Sequence, residues 1–229
     1  MIRLFHSTIV IFDFPQQLKK TNNMPNNVTN RLEINADNGK IQEIMNFLKG
    51  EPDEVGTPCY IDFNKIIPMP KELKIEASSS GDNGSQYILA MERKPYNTPE
   101  DLESIKWIEN LPEERRKQAI QLGELYLSNQ KQYGYSTWHE WSINTWGTKW
   151  NAYNQKFEEP NILWFDTAWN SVTSLIGKLS EKFPNVEFSY AYADEYLGSN
   201  NGKGTAKNGD IKMTVPGMKA MKLLKLCPK

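Results

Sequence analysis

Residues 136–153 read S-T-W-H-E-W-S-I-N-T-W-G-T-K-W-N-A-Y. Four of the chain's seven tryptophans, Trp138, Trp141, Trp146 and Trp150, fall here beside a Gly147-Thr148-Lys149 turn. Indole rings dominate core energetics because each removes a large apolar area from water. The stretch also joins a helical middle to a strand-helix-strand second half, so both halves are expected to pack on it.

Toward the C-terminus, residues 161–167 (N-I-L-W-F-D-T) carry the large apolar side chains of a strand. Asn170 or Ser171 caps a helix whose Val172, Leu175, Ile176, Leu179 and Phe183 form one stripe, stopped by Pro184. Residues 186–193 alternate, with Val186, Phe188, Tyr190 and Tyr192 on one side. A Gly- and Asn-rich connection at 198–209 leads to a final strand at 211–215.

Toward the N-terminus, residues 98–133 read as a helical hairpin or kinked helix. Thr98, Pro99 and Asp101 spell a capped helix start. Leu102, Ile105 and Ile108 give its buried stripe, and Leu122, Leu125 and Tyr126 extend the apolar face beyond Pro112. Before it come a Ser/Gly/Asp/Asn loop at 76–85, a short strand at 86–91, and a strand at 60–67 closed by Pro68-Met69-Pro70. Residues 30–36 alternate as a half-buried strand. Asp37 then caps a helix with Ile41, Ile44, Met45 and Leu48 on one stripe.

The expected fold class is therefore α+β: a split β-α-β sandwich, two helices over one face of an antiparallel sheet, with a helical insertion at 98–133. A single domain is expected over 24–215. Residues 216–229 form a basic amphipathic tail with Met218, Met221 and Leu224 at helical spacing among Lys219, Lys222 and Lys225. Residues 1–23 form an extension whose apolar run at 4–12 is too short to span a membrane and lacks a secretory cleavage site. It either adds an edge strand or stands outside the working domain.

Totals narrow the function classes. A formal charge of −1 argues against whole-surface attraction to nucleic acid or to an anionic membrane. The charge is nevertheless uneven: residues 157–195 hold seven acids against Lys178 and Lys182, and residues 202–229 hold seven lysines against Asp210. Cys59 and Cys227, with only His6 and His139, offer no disulfide framework and no metal-binding spacing. The expectation is a cytoplasmic, reducing setting, no membrane span, no metal and no cofactor.

Several short runs also carry a resemblance. W-G-T-K-W-N-A at 146–152, F-D-T-A-W at 165–169 followed by a helix and Phe183-Pro184, and Ile67-Pro68-Met69-Pro70 resemble the YubB-like family of phage and plasmid proteins. That resemblance implies a ferredoxin-like domain and a mobile-element origin, and it brings no assigned activity. Members of the family typically begin Met-Pro-Asn, which falls here at Met24-Pro25-Asn26 and implies that the working domain starts there. The family's acidic ending corresponds to residues 194–198.

Candidate site residues each have a functional and a plain structural interpretation. Trp146 and Trp150, flanking Lys149, suit stacking on bases or sugars with the lysine on a phosphate. The same indoles suit a core in which Lys149 lays its stem on them and Gly147 makes the turn. Thr148 and Asn151 belong to the same run, and Trp169 to the second one. Asp166, Asp194 and Glu195 stand at strand ends, where paired carboxylates do acid–base or metal work only at a fixed separation. His139 lacks a recognisable nucleophile or orienting acid. Residues 198–205 (G-S-N-N-G-K-G-T) miss the phosphate-loop pattern in glycine spacing and in the residue after lysine, and fit a flexible hairpin connection. No catalytic residue is nominated.

The preferred function is a non-enzymatic macromolecule-binding module, using Trp146, Gly147, Thr148, Lys149, Trp150, Asn151, Asp166, Trp169 and Glu195 with the sheet face. A protein partner is favoured over single-stranded nucleic acid. The rival is an enzyme built on strand-end carboxylates or His139.

Overall fold

The computed structural model describes residues 26–195 and 200–214. The expectations for 1–23 and for the tail at 216–229 lie outside the described residues. In chain order the elements are β1 (Asn27–Asn35), α1 (Asn38–Leu48), α2 (Phe63–Ile66), a 3-10 turn (Lys71–Leu73), α3 (Ser79–Arg93), α4 (Pro99–Glu109), α5 (Glu113–Tyr133), α6 (Trp138–Thr145), β2 (Tyr153–Glu158), β3 (Ile162–Ala168), α7 (Thr173–Lys182), β4 (Glu187–Asp194), β5 (Asn201–Lys207) and β6 (Asp210–Thr214). They form two compact units. One takes its described residues from 72–137 and holds α3, α4 and α5; the other, from 23–71 and 138–229, holds the strands and the remaining helices.

In the sheet-bearing unit the strand order is β2-β3-β1-β4-β5-β6, and every neighbouring pair is antiparallel. From β1 through α1 to β2 the chain skips over β3; from β3 through α7 to β4 it skips over β1. That is the split β-α-β sandwich, α+β in class, with the β5-β6 hairpin added beyond β4. Val28, Leu32 and Ile34 alternate onto the buried face of β1 and meet Leu163 and Phe165 of β3 and Phe188 and Tyr190 of β4. Burying each such side chain contributes about 1.5–3 kcal/mol. Asp37 caps α1 by accepting from Lys40 N at 3.0 Å, and Ile41, Ile44, Met45 and Leu48 are its buried stripe as the spacing predicts.

One polar network lies inside this apolar layer. The Tyr190 hydroxyl donates to Asn30 Oδ1 at 2.5 Å and accepts from Val172 N at 3.1 Å. Asn30 Nδ2 in turn donates to Thr167 Oγ1 at 2.9 Å and to Val28 O at 2.8 Å. Three strands and the start of α7 are thereby fixed in one register, with each buried polar group partnered.

Three assignments from the sequence are corrected. Residues 60–67 are not a strand. Gln155 clamps both backbone groups of Ile61, accepting from its N at 2.8 Å and donating to its O at 3.0 Å, and Asp62 caps α2. The strand that flanks β3 opposite β1 is β2, which follows the helical segment in the sequence. Residues 76–91 are not loop and strand but mostly α3, so the helical run begins at Ser79 and not at Thr98. A Cβ on Gly84 would lie 1.9 Å from Ala119 O, and one on Gly123 would lie 2.3 Å from Gly84 C. Glycine is there because α3 and α5 touch backbone to backbone. Finally, residues 201–207 are β5 and not a slack connection: a Cβ on Gly204 would meet Lys212 O at 2.0 Å.

Candidate functional site

The tryptophan-rich run divides into core and surface. Trp146 is only 4% exposed. Its Nε1 donates to Ile67 O at 3.0 Å, and its ring stands edge-on to Phe63 at 5.8 Å and to Trp141 at 5.2 Å. Gly147 turns the chain at φ 85°, a left-handed conformation that a side chain would strain. Thr148 Oγ1 donates to Ala168 O at 2.9 Å and accepts from Ala168 N at 3.1 Å. Asn151 Oδ1 accepts from Phe63 N at 2.9 Å while its Nδ2 donates to Asp62 at 2.7 Å. These four residues hold the turn and tie it to β3 and α2. Trp146 therefore does not flank Lys149.

What flanks Lys149 is a tryptophan from another part of the chain. Its Nζ lies 5.0 Å from the centroid of Trp150 and 5.1 Å from that of Trp169, the residue that follows β3. Trp169 is 43% exposed and sits at φ 68°. Left-handed backbone is uncommon for a bulky residue and costs roughly 1–3 kcal/mol. Both of its backbone groups are tied down to hold it there: its N donates to Asn26 O at 2.9 Å, and Asn200 Nδ2 donates to its O at 2.9 Å.

The acids gather at the same end of the sheet. Asp166 on β3 accepts from Thr29 Oγ1 at 2.9 Å and from Asn154 Nδ2 at 3.0 Å. Burial pushes its carboxyl above the usual range; those two hydrogen bonds oppose the shift and the charge of Glu195 adds to it. Glu195, just past β4, accepts from Asn27 N at 3.2 Å and from Asn27 Nδ2 at 2.6 Å. Tyr153 joins acids to indoles. Its hydroxyl donates to Asn27 Oδ1 at 2.5 Å, and its ring centroid lies 6.4 Å from that of Trp150. Burial, then the charges of Asp166 and Glu195, raise its phenol above the ordinary value. Asn27, Thr29, Tyr153 and Asn154 were not nominated from the sequence. The available signal was Tyr153, the last residue of the tryptophan run.

His139 is apart from this cluster in its contacts, half-buried and edge-on to Trp138 at 5.5 Å. Two shallow concavities of about 380 and 390 Å³ are lined by α4 residues around Trp107 and by Met45, Cys59, Tyr60 and Phe157; neither contains His139, Asp166 or Glu195. Among the described residues no group of three or more His, Cys, Asp or Glu is placed to hold a metal ion. No helix among them is long and apolar enough to cross a membrane. On the exposed sheet face, Trp164 is already engaged: Arg31 lies 5.7 Å from its ring centroid, and its Nε1 donates to Glu158 at 2.9 Å.

Fold and site together define an α+β protein of the ferredoxin-like kind with an aromatic and acidic sheet end. The family profile described as "Ferredoxin-like domain in Api92-like protein" matches residues 145–220. That interval takes in the Lys149 turn, β2, β3, α7 and the β4–β6 strands. The crystal structure of the protein Api92 from Yersinia pseudotuberculosis aligns with a TM-score of 0.43 and 14% sequence identity, covering 84% of this chain and 98% of that one. No curated protein matches the chain.

Proposed function

We propose that this chain is a non-enzymatic, cytoplasmic binding module that engages a protein partner through the Lys149, Trp150 and Trp169 end of its sheet. The observation that carries this reading is the coincidence of two costs at one place. Trp169 is held exposed in a left-handed conformation, and Asp166 is buried where its charge is disfavoured. Structures retain such costs mainly where recognition or chemistry needs them. An exposed indole beside fixed polar groups is the usual make-up of a binding hot spot.

The enzyme reading is weaker. Both oxygens of Asp166 already accept from fixed donors, and neither of the two concavities described above is lined by His139, Asp166 or Glu195. Stacking of single-stranded nucleic acid on the sheet face is disfavoured by the Arg31 and Glu158 contacts that occupy Trp164. The runs at 146–152 and 165–169 support a YubB-like, phage- or plasmid-borne origin. The test is capture from lysate of the source organism on the immobilised chain, with and without nuclease. Partners retained after nuclease but reduced at least tenfold by Trp169→Ala support the reading. Loss of every partner to nuclease transfers it to nucleic acid, and retention by Trp169→Ala moves the site elsewhere.

A further inference from the structure

The aromatic end of the sheet already holds a cation, its own. Lys149 Nζ lies 5.0 and 5.1 Å from two indole centroids, within the distance at which a ring face attracts positive charge. Among the described residues this ammonium has no ion pair and no hydrogen-bond acceptor, so ring faces are what it meets there. One wall is open to solvent, since Trp169 is 43% exposed. The surroundings are acidic. Tyr153, 6.4 Å from Trp150 ring to ring, leads through Asn27 to Glu195, and it stands opposite Asp166 in the β2–β3 register. Carboxyl groups at this end of the sheet suit an incoming cation better than a phosphate.

We propose that Trp150 and Trp169 form a cation cage in which Lys149 is the resident stand-in, and that its working occupant is an arginine side chain of a protein partner. This rests on the binding reading above and adds the ligand's chemistry. A guanidinium is flatter and more weakly hydrated than an ammonium, so it gains more from stacking on indole and loses less on leaving water. The displaced Lys149 ammonium swings on a flexible four-carbon stem into solvent, where it is well hydrated.

The probe is methylguanidinium chloride, titrated against the full chain while the tryptophan indole N–H resonances are followed by NMR. The Trp150 and Trp169 signals are expected to move together in the wild type. In Lys149→Ala, which has no internal competitor, they should move at about tenfold lower concentration. In Trp169→Ala the Trp150 signal should stay still. If Lys149→Ala fails to fold, Lys149→Met keeps the stem's packing without the charge and serves the same comparison. The proposal is overturned if methylguanidinium leaves both indoles unmoved in the lysine variant. It is equally overturned if sodium phosphate shifts the wild-type signals at lower concentration than methylguanidinium does, which marks an anion site on Lys149. Partner loss in Trp169→Ala without a guanidinium response would keep the location and discard the cation chemistry. A guanidinium response with partners retained would do the reverse.

Discussion

Asp166 shows how one side chain can mark a site by working against the fold. Its carboxyl is pushed up chiefly by burial, so the folded protein holds that proton more tightly than the unfolded chain does. Stability must then fall as pH rises from the ordinary value of 3.8 through the raised folded one, and the penalty is complete once the pH has passed that folded value. Asp166→Asn removes the charge and keeps the contacts. The new amide oxygen still accepts from Thr29 Oγ1, and the Asn154 amide turns to offer its oxygen to the new NH2. The variant should therefore melt higher than wild type at pH 7. The gap should shrink as the pH is lowered toward 4, which thermal melts across that range would read. A lower melting temperature for the variant at pH 7 would mean that the ionised carboxylate stabilises the fold. The residue types at this end were legible in the run at 146–152 and at Asp166, Trp169 and Glu195; their partners were not. Lys149 is paired with Trp169, twenty positions along the chain, and only the β3 end puts the two rings around one ammonium.

At the scale of elements, amphipathic stripes and caps were legible and glycines were not. α1 lies where its cap and stripe place it. α4 keeps its cap and α7 its stripe, but Leu102 and Leu125 of the expected apolar faces are exposed, and α7 opens after Val172, which makes no side-chain cap, and not at Asn170 or Ser171. The Thr98 box forms as written, with Thr98 Oγ1 accepting from Asp101 N and Asp101 accepting from Thr98 N. α3 and β5 were misread because Gly81, Gly84, Gly202 and Gly204 look like local turn signals. Each is instead required by a neighbour remote in sequence: the Tyr126 ring, Ala119 O, the Tyr192 ring and Lys212 O. β2 was missed for the opposite reason. It is an edge strand with only Tyr153 and Phe157 as large apolar residues, too few to announce a period of two. The α3–α5 contact gives a direct test. Gly84→Ala improves local helix propensity by about 1 kcal/mol, yet its methyl collides with backbone that cannot rotate away. The helical unit should lose about 1–3 kcal/mol net through overpacking, measurable by urea denaturation followed by circular dichroism. A stabilised variant would show that the helices are not in backbone contact in solution.

On the scale of the whole molecule, what the sequence supplies is the set of amphipathic pieces, and what it withholds is which strands are neighbours. Assigning the second strand to 60–67 preserved the split β-α-β order, because the true strand at Tyr153–Glu158 occupies the same place in that order. Pairing is decided by contacts between residues far apart in the chain, and the buried Asn30, Thr167 and Tyr190 network is the clearest of them. It joins β1, β3, β4 and the first turn of α7 across separations of 137 and 160 residues. A purely apolar layer would tolerate strands sliding by two residues, since side chains of period two would still face inward. A slide would break every bond of this network and leave buried donors and acceptors unpaired. The network therefore acts on register more than on hydrophobic burial. Tyr190→Phe isolates that role: the ring still fills its place, but Asn30 Oδ1 and Val172 N both lose their partner. Each orphaned buried group costs about 1–3 kcal/mol, so the variant should lose at least ~1 kcal/mol of unfolding free energy in urea. Amide exchange should quicken in β1, β3 and β4 together, including at Leu32 and Leu163, which lie beyond the hydroxyl's own contacts. Faster exchange at Val172 alone, with the strands unchanged, would reduce the tyrosine to a cap for α7 and leave the register to the apolar side chains.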